Sequence, residues 1–410
     1  MRIGILTLPL HTNYGGILQA YALQTVLERM GHEASVITTP NKAELPVWKW
    51  PYSYPKRMIR KYILGKNEPV FFESYHNRVY PIVGQYTLQF INKYIHCFEV
   101  GKLLDLKEKD FDAFVVGSDQ VWRPMYYPTR IENAYLDFAK DWNIKRMAYA
   151  TSFGTSEWEY TVGQTERCRE LLRKFDVVSV REESAVELCR KFFGVNASHV
   201  LDPTMLLDVQ DYVDLVKRAD IPKSKGTLLC YILDETESTT DLISRLASET
   251  GLVPFRGNSR VEDWSAPLAE RIQPPVEQWL RGFMDAELVV TDSFHACVFS
   301  ILFHKPFVVV GNKERGLARV KSLLKMFGLE ERWNSDIPTI SFSKTIDWKD
   351  VAKDDKKEEK KALKKELEEI KKEDELEAKS LTELKAMAKE AKIKGYSTMK
   401  KEELIASLNK

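Results

Sequence analysis

Short apolar runs that end in Gly, Ser, Thr or Asp alternate along this chain with longer amphipathic stretches, the pattern of βα units laid around parallel sheets. Two sets of such runs are present. The first holds RIGILTL (2–8), EASVITT (33–39), FDAFVVG (111–117), RMAYATSF (146–153) and VVSVRE (177–182). The second holds TLLCYIL (227–233), VPFRG (253–257), ELVVTDSF (287–294) and PFVVVG (306–311), with DPTMLLD (202–208) and IPKSKG (221–226) as a crossing between the sets. The expected fold class is therefore α/β, with two Rossmann-like domains, residues 1–182 and 183–345, and a cleft between them.

Three segments break the alternation. Within an insertion at residues 41–80, the stretch NKAELPVWKWPYSYPKRMIRKYILGK (41–66) carries seven Lys or Arg against one Glu. It reads either as an aromatic flap with a solvated basic rim or as a docking surface for an anionic glycan or a lipid-linked substrate at a membrane face. Residues 352–378 contain 20 charged positions in 27, nearly balanced in sign, which predicts a solvated helical linker supported by pairs such as Glu368 with Lys372. In residues 380–410, Ser380 and Glu383 form a capping box, Leu384 and Ala388 share a face, Gly395 interrupts, and MKKEELIASL begins a second short helix. This helix, loop, helix module resembles the N-terminal domain of Rho termination factors and SAP-type modules, whose relatives often bind nucleic acid. Seven Lys against four Glu and one aromatic, Tyr396, give it a weak nucleic-acid signature, and a protein-interaction role or a neutral appendage is the stronger expectation.

Composition narrows the classes. A chain of 410 residues, 44% of them hydrophobic, can bury a large core, and a formal net charge of +1 provides no global field towards nucleic acid or membrane. Five cysteines without CxxC spacing argue against a disulfide framework and against zinc, and the histidines show no spacing suited to a metal. The first residues read as a β-strand rather than a leader, and no run approaches the roughly 18 apolar residues that span a bilayer. A cytoplasmic protein fits these features.

Ligands in open α/β sheets bind beyond the carboxyl ends of strands, so three strand ends draw the chemistry. After the first strand, Asn13, Tyr14, Gly15 and Gly16 turn into a helix that stops at Gly31. The glycines would admit a ligand close to the backbone, and Asn13 and Gln19 carry amides suited to sugar hydroxyls. No GxGxxG spacing is present, so a dinucleotide fingerprint is not supported; a purely structural turn is the alternative. At the end of the FDAFVVG run, Ser118, Asp119 and Gln120 precede Trp122. Asp119 can hydrogen-bond a sugar or accept its hydroxyl proton and Trp122 can stack on a sugar face, or Asp119 only caps the next helix.

The third strand end is TDSFHACVFSIL (291–302). Asp292 or Ser293 caps a helix that His295 begins, with Val298, Phe299, Ile301 and Leu302 on its core side. A helix N-terminus disfavours an imidazolium unless an anion is near, so His295 should gain its proton when an anionic substrate arrives. Cations for that anion are Arg181, past the last strand of the first domain, and Arg315 and Arg319, past the strand after the His295 helix. Charge-assisted hydrogen bonds of about 1.5 to 3 kcal/mol would dominate anion affinity. The alternatives are a salt bridge from Arg181 to Glu183 or a neighbouring helix, and a surface-charge role for Arg315 and Arg319. His304 reads as structural.

Taken together and in order, TNYGGILQAYALQ, FVVGSDQVW, VVSVREESA, LDPTMLL and VVTDSFHACVFSILFHKPFVVV resemble the polysaccharide pyruvyltransferase family, over residues 1 to about 345. The resemblance implies a glycosyltransferase-B-like pair of Rossmann domains. It also implies transfer of a pyruvyl ketal from phosphoenolpyruvate to two hydroxyls of a sugar in a cell-surface polysaccharide or its precursor, a glycan or lipid-linked saccharide. The family's histidine falls on His295, its cleft arginine on Arg181 and a later basic residue on Arg315. Ser293 stands where many members have Arg or Lys. On this reading His295 and Arg181 are catalytic, with His295 the general acid. Arg315, Arg319 and Ser293 bind the donor, and Asn13, Gly15, Gly16, Asp119 and Trp122 hold the acceptor. No metal or organic cofactor is implied beyond phosphoenolpyruvate as donor substrate. Two alternatives keep the fold: a nucleotide-sugar glycosyltransferase, and a non-catalytic glycan-binding or scaffold protein.

Overall fold

The computed structural model describes residues 1–65, 69–127, 130–311, 316–334, 346, 348, 355–377 and 379–408. The chain divides into two compact units, Arg2–Lys353 and Asp354–Lys410.

The larger unit carries two parallel sheets. Strands β1 (Arg2–Leu6), β2 (Glu33–Thr38), β3 (Cys97–Glu99), β4 (Ala113–Val116), β5 (Lys145–Thr151), β6 (Val177–Val180) and β7 (Ser198–His199) form the first, in the order β3-β2-β1-β4-β5-β6-β7. Strands β8 (Leu228–Tyr231), β9 (Pro254–Arg256), β10 (Leu288–Thr291), β11 (Phe307–Val310) and β12 (Trp333–Asn334) form the second, in the order β12-β11-β10-β8-β9. Every pairing is parallel. The central strands β4, β8, β10 and β11 are buried at each position, because helices cover both faces of such sheets. These are two Rossmann-like lobes in a glycosyltransferase-B-like arrangement.

The first lobe runs further than the expected boundary at residue 182, since β7 adds residues 198 and 199 to its edge. A two-residue strand has no alternation to reveal it. The expected end of the second lobe at residue 345 lies outside the described residues.

The helix Tyr14–Arg29 follows β1, capped by Asn13, whose Oδ1 accepts from the Gly16 N–H at 3.3 Å. It reaches the second lobe: the Tyr14 hydroxyl donates to the Pro274 carbonyl at 2.7 Å and its ring lies 5.3 Å from that of Trp279. Gln273 donates to the Thr12 carbonyl at 3.0 Å. The helix Phe294–Leu302 is buried at all nine positions, and apart from His295 and Ser300 its side chains are apolar. It packs Phe299 against Tyr212, Trp279 and Phe283. Its N-cap Ser293 makes no side-chain capping bond, and Asp292 turns away to accept from the Leu233 and Asp234 N–H groups at 2.8 and 3.1 Å. Asp292 thus ties down the loop after β8.

In the smaller unit, the helix Asp355–Glu377 is charged as expected, with ion pairs Lys364–Glu368 and Lys365–Glu369. Lys372 donates to the Leu408 carbonyl instead of pairing with Glu368. Leu376 joins Leu384, Ala388, Leu404 and Ile405 in a small core, so the end of the charged helix belongs to the module and is not a separate linker. The Ser380–Glu383 capping box is present at the start of helix Leu381–Glu390, and Lys401–Leu408 completes the unit.

Candidate active site

Between the two sheets lies a cavity of about 790 Å³, lined from the first lobe by Leu8, Thr12, Asn13, Asp119 and Gln120 and from the second by Tyr231, Asn258, Ser293, Phe294, His295 and Arg319. A neighbouring hollow of about 480 Å³ beyond β1 and β2 shares Leu8, Pro9 and Tyr126 with it.

At the cavity's inner end, Arg181 sits between two carboxylates. Its Nη1 donates to Asp202 Oδ2 at 2.6 Å and its Nη2 to Asp119 Oδ1 at 2.9 Å. Nε2 of His295 lies 3.5 Å from Arg181 Nη1 and 3.6 Å from Asp202 Oδ2. Arg319 Nη1 reaches Asp119 Oδ1 at 3.3 Å. Both guanidiniums stand over the Phe294 ring, 4.4 Å away for Arg181 and 5.5 Å for Arg319, which supplies cation–π contacts.

Charges this deep need partners, and the backbone is shaped to provide them. Asp119 has φ +66°, a conformation few non-glycine residues adopt. Its carbonyl accepts from the Val121 and Ser152 N–H groups, which fixes it there. Gly117, after β4, has φ +128°, and a Cβ on it would lie 2.2 Å from the Tyr149 carbonyl oxygen. The Gly117–Ser118 peptide is cis. Asp202 caps the short helix Pro203–Leu206; its Oδ1 accepts from the Thr204 N–H and hydroxyl at 3.0 and 2.6 Å. Burial pushes the Asp202 carboxyl up, but His295, Arg181 and Thr204 outweigh it and hold it well below the usual carboxylate range. Asp119 is likewise lowered, its burial outweighed by Arg181, His295 and Arg319. Burial and the nearby Arg181 pull Arg319 down to about 10, so it keeps its charge at neutral pH. Glu182, also buried, accepts through Oε1 from Ser152, Phe153 and Gly154, and burial raises its carboxyl despite the two arginines.

His295, Arg181, Arg319 and Asp119 come together as a cluster, and Ser293 and Asn13 line the same cavity. Arg315 lies outside the described residues. Four expectations need correcting. Arg181 adds no surface to the cavity, its side chain being 1% exposed and engaged by Asp119 and Asp202; Glu183 pairs with Lys325 instead. Trp122 is fully buried, stacked on Tyr135 at 5.0 Å, its Nε1–H donating to the Ala134 carbonyl, so it presents no face to a sugar. Gln19 is sealed in the core and donates to Thr7 and the Gly16 carbonyl while accepting from the Ser118 N–H. Gly15 and Gly16 begin the helix, and the group that approaches Gly15 is the imidazole of the other lobe. A Cβ on Gly15 would lie 2.0 Å from His295 Nδ1.

Asp202, Thr204 and Phe294 were not anticipated as site residues. The Asp-Pro pair at 202–203 does signal a helix N-cap, but nothing in the sequence says that the cap faces His295. Among the described residues no group of His, Cys, Asp and Glu could hold a metal ion, the five cysteines are free, and no helix is long and apolar enough to cross a membrane.

Two facing Rossmann-like lobes closed on a polar cavity give this chain a glycosyltransferase-B-like architecture. Residues 13–314 match the polysaccharide pyruvyl transferase family, and the chain belongs to that family. It is thus a glycan-modifying transferase with a saccharide acceptor. Residues 375–410 match the Rho termination factor N-terminal domain. No curated protein matches the chain. Similar solved structures include the UDP-GlcNAc 2-epimerase from Methanocaldococcus jannaschii, at TM-score 0.49 and 13% identity over 88% of this chain and 99% of that one. Another is the UDP-GlcNAc 2-epimerase from Neisseria meningitidis bound to UDP-GlcNAc, at 0.42 and 9% over 89% and 100%. A third is an E. coli heptosyltransferase with ADP, at 0.35 and 13% over 78% and 90%.

Proposed function

We propose that this protein transfers a pyruvyl group from phosphoenolpyruvate to a cell-surface glycan or its precursor, as a ketal bridging two sugar hydroxyls, with His295 as the general acid. The observation that carries this reading is the placement of His295 on the cavity wall beside Arg319, with Nε2 within 3.6 Å of both Arg181 and Asp202.

The donor brings a carboxylate and a phosphate. Arg319 and the N-terminus of the Phe294–Leu302 helix receive these anions, and Ser293 adds a hydroxyl at the same turn. Arg181 acts as a positioning residue. It holds Asp119 and Asp202 in place, and Asp202 steadies the imidazole.

In the reaction, the imidazolium of His295 gives its proton to the methylene carbon of the donor, leaving an oxocarbenium-like centre at the neighbouring carbon. One sugar hydroxyl attacks that carbon and its proton returns to His295. The C–O bond to phosphate breaks, a second hydroxyl forms the other C–O bond, and its proton leaves with the phosphate. Such acid help contributes about 10² to 10⁴ in rate. The acceptor enters over Asn13, Asp119 and Gln120, the polar part of the first lobe's wall.

The test is phosphate release from phosphoenolpyruvate with a panel of glycans, run in deuterated water. The expected product carries one solvent deuterium in its methyl group, and His295→Gln slows the reaction by about 10² to 10⁴. A His295→Gln enzyme at wild-type rate, or a methyl group without deuterium, would refute the role. Release of a nucleoside diphosphate from a sugar nucleotide, with no phosphate from phosphoenolpyruvate, would point to the glycosyltransferase reading.

A further inference from the structure

Residues 47–64 contain no acidic side chain and five basic ones, Lys49, Lys56, Arg57, Arg60 and Lys61. On a chain of net charge +1 this leaves −4 for the remainder, so positive charge is concentrated here. The segment folds as a tight turn, Val47–Lys49, running into the helix Trp50–Tyr62, and none of these residues is buried. One side is fixed to the body: Tyr54 packs on Phe71 with ring centroids 5.1 Å apart, and Arg57 makes two hydrogen bonds to Glu73 at 2.7 and 2.8 Å.

The other side faces outward. Trp48, Tyr52, Ile59 and Ile63, spaced by four, seven and four residues, lie on one helical stripe and are 70%, 77%, 51% and 74% exposed. Tyr62 widens the stripe, and the exposed Lys49 and Lys56 border it. Monomeric proteins rarely leave so many large apolar side chains together in water without a use for them.

We propose that this helix docks on an anionic lipid surface, with the apolar stripe seated at headgroup depth and Lys49 and Lys56 against lipid phosphates. A nucleic acid would have no use for the aliphatic Ile59 and Ile63, which cannot stack on bases as aromatic rings do. A second copy of the chain pairing through the same face would bring lysine against lysine. An anionic bilayer satisfies both the charge and the apolar stripe. At 13 residues, with a cationic border, the helix lies along the interface rather than through it. The inference does not depend on which group the enzyme transfers.

The test is co-sedimentation of the full chain with vesicles of phosphatidylcholine containing a quarter phosphatidylglycerol, and with vesicles of phosphatidylcholine alone. Binding to the anionic vesicles is expected, weak on the neutral ones and reduced by salt. Lys49→Ala with Lys56→Ala should weaken it about 25-fold, roughly fivefold for each cation. Tyr52→Ser with Ile59→Ser and Ile63→Ser should abolish it with an unchanged thermal midpoint, since these side chains are exposed. No binding to anionic vesicles, or equal binding by the variants, overturns the proposal. So does a wild-type dimer in light scattering that the serine variant converts to monomer.

Discussion

The Gly15→Ala substitution puts a methyl carbon 2.0 Å from Nδ1, 2.3 Å from Cγ and 2.6 Å from Cε1 of His295. Ordinary contact begins at 3.4 Å, so the ring has to retreat by about 1.4 Å or the two lobes have to part. Gly15 lies in the first turn of a helix, where alanine gains about 0.5 to 1 kcal/mol in backbone entropy. A ring forced about 30° off its rotamer loses about 0.5 to 1.5 kcal/mol. The two nearly cancel, so the unfolding free energy should move by about 1 kcal/mol or less. Catalysis has no such compensation, because a group misplaced by about 1 Å costs on the order of a hundredfold in rate. Phosphate release from phosphoenolpyruvate with a glycan acceptor, measured beside urea unfolding, separates the two effects. The expected result is near-native stability, about a hundredfold lower kcat/KM, and no further loss when Gly15→Ala is added to His295→Gln. A Gly15→Ala enzyme within twofold of the wild-type rate would show that the imidazole's seat against the first lobe has no part in the chemistry.

Other outcomes follow from the same cluster. Asp202→Asn strips Arg181 of one buried anion and should cost about 3 to 5 kcal/mol in urea unfolding. Asp202 and Asp119 are both lowered in the folded state. Their stabilisation is therefore complete above the unfolded carboxyl value of about 3.9 and is lost as pH falls below it, so the thermal midpoint should drop steeply in that acid range. Midpoints in the Asp202→Asn protein should fall less steeply with acid. Arg319→Gln removes the cavity's buried cation and should raise the KM for phosphoenolpyruvate by roughly 10- to 150-fold; an unchanged KM would remove Arg319 from donor binding. Trp122→Ala should destabilise by about 3 to 5 kcal/mol through the cavity it leaves, with acceptor KM unchanged in saturation kinetics.

Nine strands stood out as apolar runs, and each forms. Among the described residues the three that do not stand out, β3, β7 and β12, have three, two and two residues and all lie at sheet edges, where too few positions alternate to make a pattern. His295, Ser293 and Asp119 were legible because a polar residue directly after a buried strand has few structural reasons to be there. Asp202 was not, because its role comes from a crossing segment meeting a helix 93 positions later, a distance no local pattern encodes. Trp122 misled for the opposite reason. Its place in the sequence, three residues after Asp119, implied a shared surface, but the left-handed turn at Asp119 sends the two side chains apart.

The clamp around Arg181 also bears on how an anion first finds the enzyme. Its positive charge and that of Arg319 are together balanced by the carboxylates of Asp119 and Asp202, so little of either is felt beyond the first few ångströms. Encounter with a charged small molecule should then proceed at ordinary diffusive rates that change little with ionic strength, and discrimination should be exercised only after entry, by fit rather than by long-range pull.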